Sequence, residues 1–303
     1  MTCLSCAADT HDDVPFDSVW NRGDAEISVY RIEEERYGEK HEGVRIMVFV
    51  KEPMCYKSKL CPYNYIKPDK MDHSHKSIEV MKLNDLRKFA TGIYGYSAMT
   101  SAFSTVEAKK GVPRMATMKV AFTAQEWCGT VYERMVREDR AYQGMLHSYF
   151  EGEGETDYTI PHHDAVEAED NLWISIRELR GTLLAPGTKK KMRIIPSKWS
   201  RRKTHETPAV EEVVLKKSPA ESRSTALGTL QAHRFSWTGP RGTTRVWVEK
   251  AYPHRILSYT EADGSSGTIV SSRREPYWKQ NTSAFRYMRD TLQLFMPQVV
   301  PDK

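Results

Sequence analysis

Met118, Val120, Phe122 and Ala124 alternate with Lys119, Ala121, Thr123 and Gln125. A period of two fits a half-buried β-strand and no helix, and it fixes which side chains face a core. The stretch belongs to a longer unit, Lys82–Tyr132, that runs out through Ala98–Val106 and turns near Lys109–Pro113 before returning. The alternation breaks at Glu126-Trp127-Cys128-Gly129. Two readings of the break stand together: a β-bulge, with Gly129 supplying backbone freedom, or a site carrying a carboxylate, an indole and a thiol.

The same period recurs along the chain. Strands are expected over Ala25–Arg31, Val44–Lys51, Ser77–Ala90 and Thr130–Val136. In the C-terminal third, strands at Ala226–Trp237, Thr243–Glu249, His254–Thr260 and Gly267–Ser272 are joined by short turns, the pattern of an antiparallel meander. The content of 7 Trp, 15 Tyr and 9 Phe favours sheet. Helical spacing of Val166, Leu172, Trp173, Ile176 and Leu179 predicts one helix over Asp164–Arg180, ended by Gly181. A short helix is expected within Thr282–Phe295. The fold expected is mainly β: a strongly curved antiparallel sheet or open β-barrel with one or two packing helices. Residues 1–17 read as a tether, 18–296 as one β-rich domain with a sub-boundary near 181–188, and 297–303 as a tail.

With 303 residues the chain can bury a sizeable core. A hydrophobic content of 39% and mean hydropathy of −0.62 leave no apolar run near the roughly 18 residues of a membrane helix. A net charge of +5 is too small to argue for nucleic-acid binding, and no nucleic-acid partner is expected. Charge is nonetheless segregated. Glu151–Asp170 carries eight acids and no Lys or Arg. Ala185–Pro219 carries ten Lys and Arg against three acids, a local balance of +7. Lys189, Lys190, Lys191, Arg193, Trp199, Arg201 and Arg202 form a basic, Trp-bearing hairpin suited to anionic head groups at a membrane surface. The alternative is a solvated hairpin facing the acidic segment.

Cysteines fall at 3, 6, 55, 61 and 128. Cys55 and Cys61 would close a small loop in an oxidising compartment and stay reduced in the cytosol. His73 and His75 beside them match no standard zinc spacing, and Cys3 and Cys6 lack a second ligand pair, so no metal or other cofactor is expected. Leu4-Ser5-Cys6 is a partial lipobox that makes Cys6 a lipidation candidate, with neither a basic region nor an apolar run before it. Cys128 is a candidate nucleophile with Glu126, His147 or His233 as partner, or a buried thiol. There is no G-x-S-x-G, P-loop, H-E-x-x-H or dinucleotide fingerprint.

Gly92-Ile93-Tyr94-Gly95-Tyr96-Ser97, Gln125-Glu126-Trp127-Cys128-Gly129 and Ser148-Tyr149-Phe150-Glu151-Gly152-Glu153-Gly154 resemble an uncharacterised family of bacterial envelope lipoproteins, over most of Val19–Arg180. Some of its members carry a septum formation inhibitor Maf label, but the pyrophosphatase motif of a true Maf protein is missing near the N-terminus. The family has no assigned activity. Over about 50 residues, Trp247-Val248-Glu249 and Pro253-His254-Arg255-Ile256 with the following Gly turn look like the strand pattern of LolA/LolB-like open barrels. These resemblances imply a curved sheet around an apolar cavity and a place in the cell envelope, facing the periplasm. The function expected is a non-enzymatic envelope protein holding a lipid or lipid-modified partner in the sheet's concavity, with Tyr94, Tyr96, Met99, Phe103, Met118, Phe122 and Trp127 lining the site. The alternatives are a thiol enzyme centred on Glu126-Trp127-Cys128 and a structural lipoprotein without ligand.

Overall fold

A computed structural model describes residues 13–55, 77–108, 111–162 and 165–295. The chain begins with helix α1 (Asp13–Trp20) and continues through eight strands: β1 (Ala25–Arg36), β2 (Glu39–Cys55), β3 (Ser77–Thr91), β4 (Tyr94–Thr105), β5 (Thr117–Glu126), β6 (Gly129–Arg137), β7 (Ala141–Ser148) and β8 (Glu155–Pro161). Then follow β9 (Val166–Ala168), helix α2 (Glu169–Ser175), β10 (Lys189–Ile195) and helix α3 (Lys198–Thr204). The chain ends with β11 (Glu211–Thr225), β12 (Gly228–Gly239), β13 (Gly242–Glu249), β14 (Ile256–Thr260), β15 (Ser266–Glu275) and a C-terminal segment that includes α4 (Met288–Thr291).

All fifteen strands share one sheet in the order β8-β7-β6-β5-β4-β3-β2-β1-β15-β14-β13-β12-β11-β10-β9. Two antiparallel meanders meet where β1 pairs with β15, Ala25 opposite Glu275. Among the described residues the single parallel pairing is β9 on β10, at one edge. The two edge strands, β8 and β9, are consecutive in the chain, so the sheet curls into a nearly closed barrel. The Tyr142 hydroxyl on β7 donates to the Val166 carbonyl on β9 at 2.9 Å. Thr117 on β5 donates its N–H (2.7 Å) and hydroxyl (2.5 Å) to the Glu167 carboxylate. These side-chain bonds tie β9 to β7 and β5 across the gap between the two edge strands, which do not pair with each other.

The mainly β, curved architecture matches the reading of the alternation, and β5 lies where the period of two placed it. Four local expectations are corrected. Glu126–Gly129 is no bulge: Glu126 pairs with Gly129, and Trp127 and Cys128 form a two-residue hairpin turn. The register shift lies instead between Phe103 and Ser104, opposite β5. The helix expected over Asp164–Arg180 is confined to α2, because Val166–Ala168 pair as a strand and Glu178 takes a left-handed φ of 50°. Its apolar residues Val166, Leu172, Trp173, Ile176 and Leu179 are all buried, so the helical spacing identified core positions but overestimated the helix. The expected tether reaches into α1, whose Phe16 and Trp20 are buried in the main core. Ala185–Pro219 is not a hairpin, because α3 intervenes between β10 and β11.

The hairpin turns of β1–β2, β3–β4 and β5–β6 lie at one end of the barrel, called the rim below, and the β4–β5 and β6–β7 connections at the other, the base. Inside, α2 and α3 fill the barrel. Leu172, Trp173 and Ile174 join the main apolar core with Tyr30, Met47, Phe49 and Leu83. The outer face carries two further apolar clusters, one around Phe103 and Met118. The other joins Ile27, Val29 and Val44 to Leu292 of the C-terminal segment.

Candidate functional site

The inner face carries charge as well as apolar surface. On β1, Glu26, Ser28, Tyr30, Ile32 and Glu34 share one parity, as period two requires, and all are buried. Arg45 is wholly buried and forms a bidentate pair with Asp85, at 2.7 and 2.6 Å, while stacking on Trp173 and Tyr259. Arg87 donates to Glu34 at 3.1 Å and to Glu261 at 2.9 and 2.5 Å. Burial alone would raise the Glu261 carboxyl, but Arg87 and Arg45 beside it hold it down to about 2. From α3, the Trp199 indole N–H (2.6 Å) and the Lys203 ammonium (3.0 Å) both donate to Glu34. Lys198 and Arg201 converge on Glu133 at 2.7 and 2.6 Å. Burial opposes ionisation there too, yet Lys198 and Arg201 bring Glu133 to about 2. Arg202 reaches Glu126 at 2.7 Å. This network welds α3 to the barrel wall and leaves at the rim end a cavity of about 190 Å³, lined by Phe122, Val131, Leu146, Glu133 and Arg201 among others.

Asp170, at the start of α2, differs from these carboxylates. Its pKa is pushed up to about 7 by burial, against the opposing pull of Lys198. Because that value lies above the ordinary 3.8, its contribution to stability is fully present below about pH 4 and is lost as pH rises through 7. Glu133 and Glu261 act in the opposite sense, their contribution being lost as pH falls through about 2. Asp170→Asn is expected to remove this residue's share of the decline in stability between about pH 4 and 7, at most roughly 1.4 kcal/mol per pH unit for one proton, leaving the share of Glu167 and Glu169, whose carboxyls burial also raises. Urea unfolding midpoints across that range check this, and an unchanged pH dependence would remove the assignment.

A cavity of about 830 Å³ opens at the base. Met115, Leu172, Leu179, Leu183 and Met192 give it an apolar floor. Five cations, Arg114, Arg180, Lys190, Lys191 and Arg193, line it with three carboxylates, Glu167, Glu178 and Glu212. Most of these groups are already positioned by the fold. Glu178 accepts from the Leu183 and Leu184 amides and from Lys217. Arg114 donates to the Arg180 carbonyl and to Glu107, and Arg180 pairs with Glu107. Glu167 is pushed up by burial, against the hydrogen bonds from Thr117. Lys190 is pushed down by partial burial, with Glu167 opposing. An anion beside Lys190 would offset that desolvation and hold its charge.

The predicted site residues do not converge. Tyr96 and Phe122 pack with Trp199 in the rim-end core. Phe103 and Met118 lie in the outer cluster with Met54, Ile78 and Val80. Met99 lines an outer groove beneath the C-terminal segment. Tyr94 and Trp127 meet on the rim, with ring centroids 6.2 Å apart. The seven therefore do not form one concavity, because the sheet's two faces and its rim divide them. Of the basic set, Lys190, Lys191 and Arg193 line the base cavity and Lys189 is exposed at the start of β10. Trp199, Arg201 and Arg202 are buried, which corrects the expectation that they touch a lipid surface: Glu34, Glu133 and Glu126 hold them inside.

Cys128 is exposed at the β5–β6 turn. Its candidate partners are engaged elsewhere: Glu126 with Arg202 and Tyr149, His147 with Glu155 at 3.3 Å, and His233 with the Ser218 carbonyl at 3.0 Å. Cys55 is buried, while Cys61, Cys6, Cys3, His73 and His75 lie outside the described residues. Among the described residues no group of three or more His, Cys, Asp or Glu could hold a metal ion. No helix among them is long and apolar enough to cross a membrane.

Sequence reasoning missed Glu167, Met115, Leu179, Leu183, Met192 and Arg114 as neighbours, since they come from four separated segments. The buried network did leave a signal. Arg45 interrupts Val44-Arg45-Ile46, and Asp85 and Arg87 continue the inner parity of Met81 and Leu83 on β3. Comparison with protein-family models, curated proteins and solved structures finds no match to this chain.

Proposed function

We propose that the protein is a non-enzymatic binding protein that takes an amphipathic anion in the base cavity. The observation carrying this reading is the combination of an apolar floor and a cationic lining in one cavity of about 830 Å³. Small-molecule sites commonly span roughly 300–1,000 Å³ and are mostly apolar with a few polar groups fixing orientation. An acyl chain would lie on Met115, Leu172, Leu183 and Met192, desolvated at roughly 25 cal/mol per Å² of apolar area buried. Its carboxylate or phosphate would sit at Lys190, which shares one face of β10 with Met192. The site thus moves from the concavity first expected to the base of the barrel. The envelope resemblance supports a bacterial envelope setting as part of this proposal, and fractionation that finds the chain wholly in the cytosol would remove that part.

Calorimetric titration with myristate tests the binding itself. Myristate is expected to bind the wild-type chain, and Lys190→Glu with Lys191→Glu should weaken it about tenfold or more, some 1.4 kcal/mol. Leu172 is a core residue, so the floor is better tested by Met192→Trp, which narrows the cavity. Absence of binding heat, or equal affinity for myristate and the neutral alcohol of the same length, would sink the proposal.

A further inference from the structure

The rim carries its most exposed apolar residues at the tips of three consecutive hairpins. Ile93 is 84% exposed, Trp127 72% and Tyr37 62%. The topology brings these tips, of β1–β2, β3–β4 and β5–β6, to the same end of the barrel and side by side. The contacts confirm their adjacency. The Tyr94 hydroxyl donates to that of Tyr37 at 3.1 Å, Tyr37 and Tyr96 share a hydrogen bond at 2.7 Å, and the Tyr94 ring lies against Trp127.

The local chemistry runs against what a hairpin turn in water would choose. Two-residue turns favour Asn, Asp and Gly. Tyr37 instead places a bulky ring at φ 59°, a conformation that Gly or Asn adopts with less strain. Apolar tips are confined to this side of the rim. The β12–β13 turn is Pro240-Arg241, and the β14–β15 connection carries Asp263 and Gly264. The hydroxyls of Tyr37 and Tyr94 are already satisfied within the protein, so covering their rings strands no donor.

We infer that this aromatic rim docks the protein on the interfacial zone of a phospholipid bilayer, with Ile93 and Trp127 as the inserting side chains. The three neighbouring tips project from the end of the barrel, as their exposure shows, and line no groove. A fluid interface accommodates such projecting side chains, whereas a rigid protein surface would need a pocket for each. Trp and Tyr are also the side chains that favour the head-group level of a membrane. Docked so, the base cavity faces away from the bilayer, at the opposite ends of the same strands. The inference does not depend on what fills that cavity.

Co-sedimentation with vesicles of phosphatidylcholine, and of phosphatidylethanolamine with phosphatidylglycerol, tests it. The wild-type chain is expected to partition into both, with binding that persists at high salt, because apolar insertion rather than charge drives it. Ile93→Ser with Trp127→Ser should weaken partitioning about tenfold or more. Lys190→Glu with Lys191→Glu should leave it unchanged, which separates the rim from the cavity. Both rim residues are exposed, and circular dichroism checks that the double variant folds. Equal partitioning of that variant, failure of the wild-type chain to bind either vesicle, or a wild-type dimer in solution that the same double variant dissociates would each overturn the inference.

Discussion

Replacing Arg45 with methionine is expected to cost about 3–5 kcal/mol of folding stability, the range for removing one partner of a buried ion pair. The guanidinium is fully enclosed, doubly hydrogen-bonded to Asp85, within 3.2 Å of Glu261, and stacked on Trp173 and Tyr259. Methionine would keep much of the packing and remove the charge. Asp85 would then lose its bidentate partner while remaining buried, with the Arg87 guanidinium 3.8 Å away, and Glu261 would keep Arg87 and Lys203 nearby. The cost therefore falls mainly on the stranded Asp85 carboxylate. A second substitution, Asp85→Leu, removes that carboxylate as well and should recover most of the loss. Urea denaturation of both single variants and the double variant closes the cycle. A single Arg45→Met variant within about 1 kcal/mol of wild type would place the pair with exposed ion pairs and refute its structural role.

The same pair shows where the sequence could and could not be read. Period two made β5 legible, because Val120, Phe122 and Ala124 are inner-face residues that only a strand places together. The C-terminal meander was legible for the same reason, with β12 to β15 within a few residues of their expected limits. Composition misled where charge was taken as a sign of exposure. Glu34, Arg45, Asp85, Arg87, Glu133, Lys198, Arg201 and Arg202 all lie inside, because each cation meets a carboxylate from a strand far away in sequence. Such pairs leave no local spacing rule, since the separation between Lys198 and Glu133 is set by the closure of the sheet. A strand whose inner parity mixes apolar and charged residues, as β3 does with Met81, Leu83, Asp85, Arg87 and Phe89, is the local trace. The acidic 151–170 and basic 185–219 segments show the same limit. The two segments meet inside where Glu169 accepts from the Ser197 amide and Asp170 from that of Lys198, while Glu151, Glu155, Asp157, Lys189 and Lys191 stay exposed.

Trp199→Ala measures that inversion directly, and a loss of about 3–5 kcal/mol is expected. Were Trp199 on a lipid-facing hairpin, truncation would leave folding nearly untouched and weaken membrane partitioning. In the structure its indole is buried among Phe89, Tyr96 and Phe122, at centroid distances of 6.0 to 6.5 Å. Its N–H donates to Glu34, which also holds Arg87 and Lys203. Removal would open a void at the centre of the rim-end core and delete one of the donors that satisfy the buried Glu34. Trp199→Phe separates the two contributions. It restores much of the ring volume without the donor, so its loss should be smaller, on the order of 1–3 kcal/mol. The two readouts then diverge in a way that exposure alone cannot mimic. Trp199→Ala should unfold at markedly lower urea yet, where folded, still partition into vesicles through Ile93 and Trp127. Loss of partitioning with unchanged stability would reverse the placement of α3 and return Trp199 to the surface.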